Sequence, residues 1–277
     1  MAERISAFTR AGLTFDVRDS GPVDGDPVVL LHGFPQDSRS WDRLTPLLHA
    51  RGLRTLAVDQ RGYSPGARPR SRRAYRLSEL AADIVALIDQ HALRSVHVVG
   101  HDWGAAVAWT LAARRPDLVR TLTALSVPHP GAFARAVLTS SQLWKSWYML
   151  VFQLPVLPER AFTATGFARR ALLTSGMTMA QADRDIAAMQ DRSRIRGAVN
   201  WYRAIAFTTP KSTSARVQVP TLYVWSDRDI AVGAVAAGLT ERFVTGPYTF
   251  ETLSGVSHWI PEEAPEQVDA LLGAHLR

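Results

Sequence analysis

The chain has 277 residues, 47% of them hydrophobic and 21% charged, with a formal net charge of +7 and no cysteine. That length and balance fit a folded globular chain of one large α/β domain, or a core carrying an inserted subdomain. Disulfides and thiolate metal sites are excluded, and no apolar run approaches the roughly 18 residues of a membrane span. The N-terminal MAERISAFTRAGLTF lacks the apolar core of a signal peptide. With the absent cysteines, this points to a cytoplasmic protein.

RISAFTRAGLTFDVRDSG alternates and turns at Ala11-Gly12, which predicts an antiparallel hairpin. PVVLLHGFP is a short apolar run closed by a glycine turn, the pattern of a buried strand. SRSWDRLTPLLHARG reads as a helix ending at Gly52, and LRTLAVDQRGYS as the next strand and its loop. The loop GARPRSRRAYR that follows concentrates Arg68, Arg70, Arg72, Arg73 and Arg76. It has neither the interleaved aromatics nor the fold signature of a nucleic-acid module, so it reads as a solvated basic loop.

LSELAADIVALIDQHAL repeats its apolar residues at Leu77, Leu80, Ile84, Leu87 and Ile88, a helical stripe. SVHVVG is another buried strand, WGAAVAWTLAARRPD a helix stopping before Pro116, and VRTLTALSVPHPG a further strand. Strands and helices alternating through short connections predict a parallel, doubly wound sheet. The alternation then lapses. From about Pro130 to Thr213 only helical patterns and loops are visible, including the aromatic SQLWKSWYMLVFQLPVLPERAF and a pair of helices in AQADRDIAAMQDRSRIRGAVNWYRAIAF. Strands resume at VPTLYVWSDRD and YTFETLSGVSHW, and APEQVDALLGAHL closes the chain as a helix. The expected organisation is a core of residues 1–129 and 214–277, with a helical cap of residues 130–213 inserted after the sixth strand.

GHDWG, residues 100–104, has the form of a nucleophile elbow, but its centre is Asp102 where a serine is usual. A carboxylate is already ionised at neutral pH, and the helix starting near Trp103 points its positive end at it. It suits attack on saturated carbon, leaving an alkyl ester on the enzyme, whereas a serine alkoxide suits acyl transfer. An aspartate that merely caps a helix is the plainer alternative. His258, after the final strand, cannot usefully deprotonate Asp102; it would activate the water that hydrolyses the ester. The acid that orients it is Asp227 or Asp229, both in YVWSDRD.

HGFPQ, GHDWG, SVPHPG, WYMLVFQLP, NWYRA, YVWSDRD and SGVSHW together resemble the epoxide hydrolase branch of the α/β hydrolases, nearly end to end. The resemblance implies an α/β-hydrolase fold, a mostly parallel eight-stranded sheet with the helical cap. It favours Asp229 as the orienting acid and leaves Asp227 as a turn residue. It implies an oxyanion hole formed by the backbone N–H groups of Phe34 and Trp103. It also matches Tyr148 and Tyr202 to a ring-opening pair. An alkoxide is too basic to leave unaided, and a phenol with a pKa near 10 can hydrogen-bond and then protonate it.

His32, Pro35, Trp147, Phe152 and Trp259 are expected around the substrate pocket, whose apolar character also draws on Trp144 and Leu154. The implied activity is conversion of small apolar epoxides to vicinal diols in a detoxification role. It needs no cofactor and no metal. The chain is expected to be a monomer or homodimer, with no nucleic-acid partner and no stable membrane insertion.

A haloalkane dehalogenase would use the same Asp102 and His258, but it needs weak N–H donors on the halide where this chain has Phe34, and it leaves the tyrosines unexplained. A fluoroacetate dehalogenase would want arginine where Trp103 stands. A non-catalytic ligand receptor on this fold sits poorly with an intact residue set. A lipid-surface enzyme docking through WYMLVFQLPVLP and the basic loop is weighed against the plainer reading that this stretch lines the pocket.

Overall fold

The computed structural model describes residues 3–209 and 214–276. Eight strands form one sheet: β1 (Ala7–Arg10), β2 (Leu13–Ser20), β3 (Pro27–Leu31), β4 (Arg54–Val58), β5 (Val96–His101), β6 (Val119–Leu125), β7 (Thr221–Ser226) and β8 (Tyr248–Leu253). Their spatial order is β1-β2-β4-β3-β5-β6-β7-β8. β2 runs antiparallel to both neighbours, and every pairing from β4 to β8 is parallel. The fold is therefore that of an α/β hydrolase, as the alternation of patterns and the family resemblance led us to expect.

The central strands are almost wholly buried and mainly apolar because both faces are covered. Along β3, Val29 and Leu31 face the helices Leu77–Gln90 and Trp103–Arg114, while Val28 and Leu30 face Thr45–Ala50 and Pro265–His275. The two-residue side-chain period of a strand thus splits the core into two layers. One expected element differs. SRSWDRLTPLLHARG is a short 3₁₀ turn, Ser38–Trp41, followed by a separate helix, Thr45–Ala50. Pro46 can occupy the first turn of a helix but not its interior, so the helix begins there.

Between β6 and β7 the described chain is helical, from Pro130–Thr139 to the turn Ala204–Phe207. The outer limit expected near residue 213 lies outside the described residues. Ion pairs, two of them on buried carboxylates, fasten this excursion to the sheet. Arg194 meets Asp37 at 2.7 Å, Arg184 meets Glu262 at 2.7 Å, and Arg68 meets Asp191 at 2.5 Å. Arg68 is thereby withdrawn from the solvated loop to which its sequence context assigned it, because the Asp191 carboxylate and Ser193 hydroxyl at a helix start offer it partners.

Candidate active site

In a parallel sheet the strand C-termini all open on one edge, and the loops leaving them meet there. Phe34 follows β3, Asp102 follows β5, Asp229 follows β7 and His258 follows β8. Asp102 takes φ 51° and ψ −122°, a backbone region that side chains other than glycine rarely enter. Such a turn costs on the order of 1–3 kcal/mol and persists only where its surroundings enforce it. Two glycines make room for it. A Cβ at Gly33 would collide with the Asp102 side chain, and one at Gly104 with the backbone carbonyl of Leu31.

The Asp102 carboxylate is held at both oxygens. The N–H of Phe34 donates to Oδ1 at 2.8 Å, and His258 Nε2 lies 3.5 Å from Oδ2. The N–H of Trp103 opens the following helix, where no intrahelical acceptor exists. Burial would push the Asp102 carboxyl up, but His258, His101 and the Phe34 N–H outweigh it and hold the group below its ordinary value. It is a carboxylate at neutral pH.

On the other side of the ring, His258 Nδ1 donates to Asp229 Oδ2 at 2.9 Å. Asp229 Oδ1 accepts from the N–H groups of Ala231 and Val232 at 2.7 and 2.9 Å, which fixes its plane. Asp227 is elsewhere, exposed and bonded to Ser254 Oγ and the Gly255 N–H as a turn residue. Burial opposes the charged imidazole, yet Asp229 and Asp102 together lift His258 to about 10. The resting ring is therefore an imidazolium clasped between two carboxylates.

A cavity of about 680 Å³ opens onto Asp102 and is lined by Trp103, Tyr148, Met149, Phe133 and Val232 among others. Tyr148 comes from the helical excursion, and so does Tyr202, whose ring stands 6.0 Å from that of Tyr148 and 5.0 Å from that of Trp103. Burial, with the Asp102 charge added, raises both phenols well above their usual range. Both stay protonated.

The expected pocket wall is placed differently. None of His32, Pro35, Trp147, Phe152 and Trp259 lines this cavity, and neither do Phe34, Tyr202 and His258, which stand behind the lining side chains. His32 is fully buried and accepts the Gln60 backbone N–H at its Nε2, shaping the β3 turn. Pro35, joined to Phe34 by a cis peptide, is likewise buried behind that turn. Phe152 wedges between Phe34 and Tyr202, with ring centroids 5.5 and 4.6 Å away. Trp259 packs edge-on against His258 and donates its indole N–H to Ser175 Oγ at 2.9 Å. Trp147 is 57% exposed on the outside. The wall mixes aliphatic and aromatic side chains: Leu143 and Leu150 reach its rim from the short helices Gln142–Lys145 and Trp147–Val151, and the indoles of Trp144 and Trp147 do not line it.

Four residues escaped the sequence reading. His101 Nε2 and Ser126 Oγ both donate to the backbone carbonyl of His258, each at 2.8 Å. Burial and the charge of His258 hold His101 down at about 4, so it is neutral, with its proton on Nε2. Ser126 sits at φ 66°, and its own carbonyl accepts the Tyr223 hydroxyl. Gln142, from the helical excursion, donates to the carbonyl of Ala231 and accepts the Gly233 N–H, gripping the loop that supports Asp229. Lys145 Nζ reaches the Asp229 carbonyl at 3.2 Å. His101, inside GHDWG, and Ser126, at the head of SVPHPG, stood in motifs, whereas Gln142 and Lys145 did not; all four reach their partners across long sequence separations.

A family model described as the alpha/beta hydrolase fold matches residues 26–265. The chain is 33% identical over 274 residues to the AB hydrolase superfamily protein YfhM of Bacillus subtilis (strain 168), covering 96% of this chain and 95% of that protein. It is 30% identical over 279 residues to Epoxide hydrolase 4 of Homo sapiens, covering 96% and 76% respectively. The crystal structure of Epoxide Hydrolase A from Mycobacterium thermoresistibile superposes with a TM-score of 0.85 at 27% identity, over 98% of this chain and 97% of that one. The chain therefore belongs to the alpha/beta hydrolases, within the epoxide hydrolase family.

Proposed function

We propose that the protein hydrolyses epoxides to vicinal diols through an ester on Asp102. The observation that carries this reading is a carboxylate fixed by the Phe34 N–H at 2.8 Å, on the floor of a cavity into which Tyr148 projects. With Oδ1 tied down, Oδ2 is the attacking atom. It forms a bond to one epoxide carbon while the ring C–O bond breaks, and the released oxygen takes a proton from the Tyr148–Tyr202 pair. Phenols raised by burial remain protonated until an alkoxide, a still stronger base, appears.

The second step needs a base, and the resting His258 is charged. Esterification removes the charge on Asp102, one of the two carboxylates that hold the imidazolium, so the ring gives up its proton, through solvent, to the phenolate left by ring opening and is free to act as a base. Neutral His258 then takes a proton from water, whose oxygen attacks Cγ of Asp102. Oδ1 becomes an oxyanion between the N–H groups of Phe34 and Trp103, a stabilisation worth several kcal/mol in comparable sites. Collapse expels the diol oxygen, which receives the proton from His258, and the acid left on Asp102 passes its own proton to the neutral ring, restoring carboxylate and imidazolium. Asp229 keeps the ring oriented throughout. The helical excursion acts as a cap that brings the tyrosines over the nucleophile. A dehalogenase would give these two phenols nothing to do.

His258→Gln tests the reading directly. On mixing with an epoxide the variant is expected to accumulate a species heavier by the mass of the substrate, localised by proteolysis to the peptide holding Asp102. An unmodified protein, or diol formed at the full rate, would refute it.

A further inference from the structure

The rim of the cavity is apolar and open to solvent. Leu138, Leu143, Leu150 and Ile205 line the cavity and are also exposed, Leu138 by 85% and Leu150 by 69%. Trp144, 79% exposed, and Trp147 stand next to them in the chain and do not line the cavity. An exposed group of this size, rimmed by charge, marks a contact surface.

The segment that supplies most of this rim carries charge of one sign. Pro130 to Pro158 contains no aspartate or glutamate but carries Arg135 and Lys145. The basic loop reaches the same rim: the Arg73 guanidinium lies 5.1 Å from the centre of the Phe207 ring, in the turn Ala204–Phe207 that supplies Ile205 and Ala206 to the cavity wall. Leu77, just after that loop, lines the cavity too. Arg70, Arg72 and Arg73 are exposed, and none has a carboxylate partner among the described residues.

We infer that this rim docks on an anionic phospholipid surface, so that the cavity takes lipophilic substrate directly from the membrane. Indoles and leucines seated at the headgroup boundary beside cations are the combination that interfacial binding requires. A second copy of the chain fits worse, since two such rims face to face would oppose Arg135, Lys145 and the basic loop with their own kind. Among the described residues no helix is long and apolar enough to cross a membrane, so the contact is peripheral. The docking rests on the surface alone; uptake of a lipophilic epoxide rests also on the proposed function.

The test is co-sedimentation of the full chain with vesicles of phosphatidylcholine alone or mixed with phosphatidylglycerol. Binding is expected to the mixed vesicles and to weaken as salt rises. Arg70→Glu combined with Arg72→Glu is expected to weaken it about twentyfold or more, at roughly fivefold per charge. Trp144→Ser should weaken it as well, and both variants should keep wild-type turnover of a water-soluble epoxide in vesicle-free buffer. Absence of binding, equal binding to neutral vesicles, or indifference to these substitutions would overturn the proposal. So would a dimer in solution that Trp144→Ser dissociates, because the rim would then be an interface between copies. Vesicle binding by a wild-type protein that opens no epoxide would leave the docking standing and remove the catalytic reading.

Discussion

Replacing Asp102 by asparagine keeps an acceptor for the Phe34 N–H but removes the charge 3.5 Å from His258 Nε2. Two unit charges at that separation interact by about 5 kcal/mol at an effective dielectric near 20. The Asp102 side chain is 14% accessible, and solvent at the cavity takes part of that, so about half, roughly 2 pKa units, is a fair expectation. His258 should therefore fall from about 10 to about 8. The assay is a ¹⁵N NMR titration of histidine-labelled protein, with His258 assigned by its loss in His258→Gln. The sign extends to stability. A histidine raised above its ordinary 6.5 stabilises the fold fully below that pH, and the contribution is lost as pH rises through about 10. In the asparagine variant this loss should be complete near pH 8. An imidazole that still titrates near 10 without Asp102 would refute the claim that esterification frees the base.

Tyr148→Phe and Tyr202→Phe together should slow ester formation by about 10²–10⁴-fold in single-turnover experiments, the usual worth of a positioned acid; a rate within a few-fold of wild type would deny them that role. A single turnover in H₂¹⁸O with enzyme in excess should place the label on Asp102 and leave the first diol unlabelled, and label in that diol would exclude the ester. Ser126→Ala removes one of the two donors to the His258 carbonyl, worth about 1 kcal/mol, so ester hydrolysis should slow several-fold while the rate of ester formation stays unchanged; equal slowing of both steps would reduce Ser126 to a general structural part. Arg194→Ala leaves the buried Asp37 with Arg39 as its nearest cation and should cost about 3 kcal/mol in chemical denaturation. Asp37 is held far below the ordinary carboxylate range, burial notwithstanding, by Arg39 and Arg194. Its stabilisation is present at neutral pH and lost as pH falls below about 4, so the difference between variant and wild type should shrink in acid.

The sheet could be read from the chain because strands buried on both faces are mainly apolar along their length, as Val28–Leu31 are throughout and Val96–Val99 are but for His97. The elbow could be read because Gly33 and Gly104 leave their mark wherever a backbone must come close. Telling Asp229 from Asp227 needed the family resemblance: the two lie two residues apart in one loop, and only folding shows that one faces His258 and the other Gly255. The pocket wall was hard to read for a related reason. Over short helices such as Gln142–Lys145, an aromatic sequence does not reveal which side of the turn meets the cavity, and the indoles of Trp144 and Trp147 face outward. The donors to the His258 carbonyl come from positions 132 and 157 residues away in the chain, beyond the reach of any local pattern.

The grip of Gln142 on Ala231 and Gly233 has a bearing on how small this protein could be made. Those residues and Val232 form the shelf on which the orienting carboxylate rests, and the shelf is held from the opposite domain. Excising residues 130–209 would therefore take away more than a roof. The remaining sheet would keep its aspartate and its imidazole but lose the brace that aligns one with the other, so no stripped-down version of this scaffold retains a working hydrolytic half.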